Sequence, residues 1–356
     1  MANRVGDAAT ATAIETGQPH AAPGGQDLAA QHLNTRVVWY YYVGNRTQQE
    51  IADELGITRL RVNRIIGQAR LAGAVNIEIR MPLAECVALE QRLKARYGLR
   101  DVTIVPSLSD IDQQKRVIGE ATGTMLDGLL RAGQTIGVGW GQTLLSVARK
   151  LTRTAPDGRV IAMMGRPDAR LRADSFEAAS ELARVLGAEC QHIPSLLYYP
   201  DQSSFAALQD YQPLAAVLEA ARGADIGLVT CGDLSDQQQI FAVTSITQQE
   251  IASLRSLGAV GEILGMFLDA DGAPVDHPLN RRIMALAPSE LRMLPDTILA
   301  AGGLYKLTIV RSVILGGYVK RLVTDEAVAK GLLAAGDAPP VARQNQETRK
   351  QRKPSS

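Results

Sequence analysis

From about residue 85 onward one texture recurs: short β-rich runs alternate with helical stretches. The runs are VTIVPS (102–107), TIGVGW (135–140), RVIAMMG (159–165), DIGLVTCG (225–232), EILGMFLD (262–269), TILAAGG (297–303) and YVKRLV (318–323). Helical patterns fall between several of them, at 142–151, 175–187, 247–257 and 324–334. Strand–helix alternation of this kind predicts a parallel, doubly wound α/β sheet. Such sheets take small molecules at the carboxyl ends of their strands.

Residues 28–80 are different, compact and mostly helical, and their key segment is TQQEIADELGITRLRVNRII, residues 47–66. Thr47 and Glu50 make a capping box. Ile51, Ala52 and Leu55 share one face of the helix that follows, and Gly56 supplies the left-handed residue that ends it. Ile57 plugs the corner, Thr58 caps the next helix, and Val62, Ile65 and Ile66 give that helix its apolar face. Two short helices joined by a Gly turn describe a helix-turn-helix. The preceding VVWYYYVGN (37–45) completes a three-helix unit, with Trp39 and some of the tyrosines packed behind the motif.

In the second helix the inward face is taken by apolar residues, which leaves Arg59, Leu60, Arg61, Asn63 and Arg64 facing outward or sideways. Arg and Asn suit base edges and phosphates in the major groove. Between residues 36 and 80 there are seven arginines against four acidic residues, an excess concentrated after the turn. Thr47, Gln48 and Thr58 join those five as DNA-binding candidates. TQQEIA recurs at 247–252, where SLRSLGAVGE follows instead of a basic helix, so the second copy is predicted to be a helix start only.

The remaining composition excludes several classes. With 38 Lys+Arg against 37 Asp+Glu the net charge is +1, so any basic patch is local. Aromatics at 4% argue against a base-stacking RNA platform. No apolar run reaches the roughly 18 residues of a membrane span, and residues 1–30 carry no apolar signal core. Cys86, Cys190 and Cys231 are too scattered for a disulfide framework or a metal clip, and the four histidines have no ligand spacing. No metal and no cofactor are expected, and a reducing cytoplasm fits. The 356 residues divide into a disordered leader (1–27), a DNA-binding domain (28–80), an effector and oligomerisation domain (81–336) and a disordered basic tail (337–356). The tract 85–97, with Cys86, Leu89, Leu93 and Tyr97 at helical spacing, reads as a helix leading into the sheet.

Three places in the larger domain suggest a ligand. TIGVGWGQT (135–143) is a strand, a Gly-rich turn and a helix start, which offers close backbone approach and free N–H groups to a phosphate. GGLYK (302–306) puts Lys306 in the first turn of a helix, where an anion partner would offset the unfavourable dipole. GAVGEILG (258–265) places Glu262 where it can accept hydrogen bonds from sugar hydroxyls. Arg166 is a further anion candidate, while Asp225 and Asp325 read as cap or turn residues.

Taken together, TQQEIADELGIT with RVNRII, VGWGQT, GAVGEILG with the following DADG, AGGLYK and LVTDEAVA resemble the SorC/DeoR-type family of sugar-responsive bacterial transcription regulators, over roughly residues 36–335. The resemblance implies a winged-helix-like N-terminal unit and an effector domain similar to sugar-phosphate isomerases and deaminases. It implies a phosphorylated sugar or polyol as effector, operator DNA as partner, and a homodimer or homotetramer. Its phosphate-binding turn falls on Gly139, Trp140, Gly141, Gln142 and Thr143, its phosphate-contacting lysine on Lys306 and its sugar-facing acid on Glu262. Gln142 and the stretch MMGRPDA (163–169) depart from the family pattern. RLRVNRII with QARLAGAV is similar to the branch controlling erythritol or related polyol catabolism. The expected function is a repressor of a sugar or polyol operon, switched by its effector and without catalytic residues. The alternative is a sugar-phosphate isomerase or deaminase with an appended DNA-binding unit, for which neither His192 nor His277 supplies an acid–base motif.

Overall fold

In the computed structural model the described residues are 25–44, 46–75, 84–167, 178–209, 211–235, 240–241 and 244–335. The leader up to residue 24 and everything from 336, the expected tail included, lie outside them, as do 168–177, which take in the first three residues of the expected helix 175–187. The chain divides into two compact units, Met1–Arg80 and Met81–Ser356.

The first unit contains helices α1 (Gly25–Tyr42), α2 (Gln48–Leu55) and α3 (Arg59–Leu71). Helix α1 starts well before the apolar tract that announces it and takes in residues 25–27, which the sequence pattern assigns to the leader. The Thr47–Glu50 capping box is closed in both directions. Gly56 (φ 64°) ends α2 in the left-handed region, and Thr58 caps α3 by accepting from the Arg61 N–H. Val37, Ile51, Ala52, Val62, Ile65 and Ile66 form the core, with Leu55 and Ile57 packed against it. The expectation for Trp39 is corrected: it is 54% exposed. Leu33, Val37, Tyr40 and Tyr41 share the inward face of α1, and Trp39, two residues from Val37, falls on the other side.

The second unit opens with α4 (Ala84–Tyr97), whose Cys86, Leu89, Leu93 and Tyr97 are buried. Seven parallel strands follow, β1 (Asp101–Val105), β2 (Thr135–Val138), β3 (Arg159–Ala162), β4 (Glu189–Gln191), β5 (Ile226–Val229), β9 (Asp296–Ala300) and β10 (Arg321–Asp325). Their order across the sheet is β1-β10-β9-β5-β2-β3-β4. Alternate residues feed opposite faces, as the pleat requires. Ile298 and Ala300 join a core with Ile118 and Leu126 of α5 (Ile111–Leu129), whereas Leu299 and Ala301 join the core that holds α4.

Two runs expected as single strands are divided. DIGLVTCG supplies β5 and then β6 (Cys231–Asp233), which leaves the main sheet. EILGMFLD is a hairpin, β7 (Gly261–Ile263) and β8 (Met266–Leu268). Leu264 (φ 50°) and Gly265 reverse the chain between them. Together β6, β7 and β8 form a small antiparallel sheet that sets Glu262 opposite Gly232.

Candidate functional site: effector pocket and DNA-reading helix

In the main sheet β2 and β5 are neighbours. From β2 the chain runs on to β3 on one side, and from β5 it reaches β9 on the other. Connections that leave adjacent strands in opposite directions open a crevice at their carboxyl ends. A cavity of about 370 Å³ lies there. Gly139, Trp140, Gly141, Gln142 and Thr143 after β2 line it, as do Thr230, Cys231 and Ser235 after β5. Glu262, Tyr305 and Lys306 complete the wall, with Ile111 and Lys115 from the start of α5.

Each part of the wall has a local cause. The Gly139 N–H donates to the Leu228 carbonyl (2.8 Å), so Gly139 offers a ligand close backbone approach and no free donor. Gly141, at φ 132° and ψ 157°, stands where a side chain is strained, and α6 (Gln142–Leu145) starts from it. The N–H groups of an opening helical turn have no acceptor in a preceding turn. Helix α5 holds this turn from behind. A Cβ on Gly119 would lie 2.3 Å from the Thr143 carbonyl oxygen, and one on Gly123 2.3 Å from that of Val147. The two glycines therefore set the depth at which α5 and the turn meet.

Lys306 ends a short 3₁₀ turn, Leu304–Lys306, and precedes α7 (Leu307–Leu315). It is 9% exposed, and its Nζ donates to the Cys231 carbonyl oxygen at 2.7 Å. Glu262 accepts from the Gly265 N–H (2.7 Å). Burial pushes the Glu262 carboxyl up to about 7, against the opposing pull of the Gly265 N–H and the Lys306 ammonium. The pocket thus holds a fixed cation next to a carboxyl group poised between its two protonation states.

Sequence reasoning sees Asp325 only as a cap. It does cap α8 (Glu326–Ala334) by accepting from Val328 N–H, and it also accepts from Gly303 N–H and Ser107 Oγ. A Cβ on Gly302 would strike its carboxylate, so the Gly302–Gly303 pair is what lets Asp325 tie down the turn bearing Lys306. Asp225 bonds the Thr135 N–H and is a turn residue. Thr230, Cys231, Ser235, Tyr305, Ile111 and Lys115 carry no signal of their own in the sequence, since only the strand order places them together.

Arg166 is not brought to this pocket. It lines a separate cavity of about 270 Å³ with Ser180 and His192, which shares Gly139, Trp140 and Met164 with the first. The physical reason is β3: Arg166 follows it and pairs with Leu196, one strand further from β5. No histidine lines the first pocket among the described residues. His277 caps a short helix, accepting from Leu279 N–H, and His192 contacts Ser180 and Cys190.

In the first unit Arg59, Leu60, Arg61, Asn63 and Arg64 are all exposed on α3, as are Thr47 and Thr58, with Gln48 half-buried. The first turn of α3 contains no acidic residue but two arginines, against the helix dipole. The side chains of Arg59, Arg61 and Arg64 meet no carboxylate among the described residues, whereas Arg46 pairs with Glu54.

Residues 81–334 match the sugar-binding domain family, and residues 34–72 match region 4 of sigma-70 factors. The transcriptional regulator LsrR of Klebsiella pneumoniae subsp. pneumoniae is 30% identical over 318 residues, 87% of this chain and 95% of its own. The chain belongs to the SorC/DeoR-type family of sugar-binding transcriptional regulators. LsrR of Escherichia coli K12 is 29% identical over 86% of this chain and 96% of its own. Among solved structures, the full-length sorbitol operon regulator SorC from Klebsiella pneumoniae superposes with a TM-score of 0.66 at 24% identity, covering 86% of this chain and 99% of that one. A DeoR family regulator from Listeria monocytogenes gives 0.63 at 19% identity over 70% of this chain and 99% of its own. A SorC/DeoR-type regulator pairs a DNA-binding unit with a sugar-binding one, and this chain is a regulator rather than an enzyme. No described helix is long and apolar enough to cross a membrane.

Proposed function

We propose that the chain is a cytoplasmic repressor of a sugar or polyol catabolic operon, released from its operator by a phosphorylated sugar or polyol. The DNA-binding domain spans 28–80 and the effector and oligomerisation domain 81–336. The observation that carries this is Lys306, buried beside Glu262 in a pocket walled by the Gly139–Thr143 turn. The turn and Lys306 hold a phosphate, and Glu262 accepts from hydroxyls. Helix α3 reads the operator, with Arg59, Arg61, Asn63 and Arg64 on base edges and phosphates and Thr47, Gln48 and Thr58 beside them. Two or four copies present paired reading helices to a two-fold site. Effector binding shifts the equilibrium between arrangements of the assembly, and it does so only if the effector binds them unequally. A coupling of about 1–3 kcal/mol is enough.

The test is fluorescence anisotropy with DNA from upstream of the protein's own gene, against free and phosphorylated sugars and polyols, erythritol among them. One phosphorylated compound is expected to weaken DNA binding, and Lys306→Ala and Thr143→Val to blunt that response while leaving the DNA affinity of the free protein unchanged. A full response to the unphosphorylated compound, unaltered in both variants, would overturn the assignment of the phosphate site.

A further inference from the structure

Leu60 is 72% exposed, in the first turn of α3 between Arg59 and Arg61. It stands apart from the apolar stripe of Val62, Ile65 and Ile66, all buried. At 100° per residue Leu60, Asn63 and Arg64 share the opposite face. An arginine or asparagine on that face can bond base edges or phosphates. Leucine can do neither. The group that a bare aliphatic side chain matches on a base edge in the major groove is the 5-methyl of a pyrimidine.

We propose that Leu60 packs on a pyrimidine 5-methyl group and thereby fixes thymine at one position of each half-site. This assignment rests on α3 being the operator-reading helix. An apolar contact neutralises no phosphate, so its loss leaves the salt dependence of binding unaltered, unlike the loss of an arginine.

The experiment uses the full chain and a duplex enriched by it from a random, unmethylated synthetic library. Each thymine of the enriched core is replaced in turn by uracil, which lacks only the methyl. At one position per half-site the replacement is expected to weaken binding about fourfold, the value of one methyl moved out of water. Leu60→Ala should bind the thymine and uracil duplexes equally, with an unchanged slope against salt, and Leu60→Thr should keep part of the preference. Cytosine at that position should bind less well than 5-methylcytosine, which separates the methyl from the rest of the base and shows whether a methylated cytosine can stand in. Uracil tolerated at every position by the natural protein would overturn the proposal. So would a thymine preference that survives Leu60→Ala. If no duplex is enriched, or Arg61→Ala binds unchanged, the helix assignment falls and takes this one with it.

Discussion

Gly119 offers the sharpest test of how the pocket is held. Replacing it with Ala sets a methyl 2.3 Å from the Thr143 carbonyl oxygen and 2.6 Å from the Ser146 Cβ. Real contacts of that kind do not fall below 3.0 Å, so the α5 and α6 backbones must separate by at least about 0.7 Å. Overpacking of this order costs about 1–3 kcal/mol. Removing a helix glycine returns about 0.5–1 kcal/mol. The net loss is centred near about 1 kcal/mol and reaches at most about 2.5 kcal/mol, which at its centre lowers Tm by roughly 2–4 °C for a unit of this size. Gly128 lies in the same helix with nothing within 4 Å of its Cβ position, so Gly128→Ala should leave Tm level or raise it slightly. Differential scanning calorimetry of both variants gives the comparison. The Gly119 variant should also respond less to effector, because the turn at Gly141–Thr143 is displaced along with α6. Equal melting of the two variants would refute the close seating of α5 on that turn.

Glu262 should make effector binding depend on pH. With its carboxyl at about 7 in the free protein, the ionised fraction rises roughly tenfold between pH 6 and 8, so the affinity for a neutral polyol or sugar probe should rise across that range, and Glu262→Gln should flatten the curve in a calorimetric titration. The same raised value means the folded form holds this proton more tightly than the unfolded chain does. Its contribution to stability is therefore greatest at low pH and declines as pH rises from 4.5 to about 7, which thermal melts of wild type and Glu262→Gln will register. Arg61→Ala should weaken operator binding and reduce the slope of log affinity against log salt by about 0.9 for each phosphate left without its cation, read by anisotropy at several salt concentrations. Thr47→Ala opens the capping box and should cost the first unit about 1 kcal/mol in chemical denaturation.

The parts of the molecule legible in the sequence are those where local rules suffice. The capping boxes at Thr47 and Thr247, the left-handed Gly56 and the buried stripe of α4 follow from spacing alone. So does the presence of ligand-type residues at Gly139–Thr143, Glu262 and Lys306. What spacing does not carry is which strand lies beside which. Arg166 and Lys306 both follow strands and look alike on that ground, yet β3 and β9 are separated by β2 and β5. Thr230 and Cys231 matter only where β5 meets β2, so nothing in their own neighbourhood marks them. The hairpin at 261–268 is hidden by a positive φ at Leu264, a leucine that carries no turn signal of its own. Trp39 is misplaced wherever hydrophobicity is given more weight than helical phase.

The first strand of the second unit pairs with its last: β1 lies against β10 in register from Asp101 to Asp325. Helix α4 is fastened to α8 by the Tyr97 hydroxyl on the Leu332 carbonyl and by the Glu85–Lys330 ion pair. On a ribosome, β1 therefore waits without a partner until about 220 further residues have been made. At about 5–20 residues per second that is roughly 10–45 seconds. The helices ending at Leu71 need nothing from the rest of the chain to close their core. For that interval a nascent chain can carry a finished reading head and an unfinished sensor, with its opening strand bare to any other strand that adds to a sheet edge.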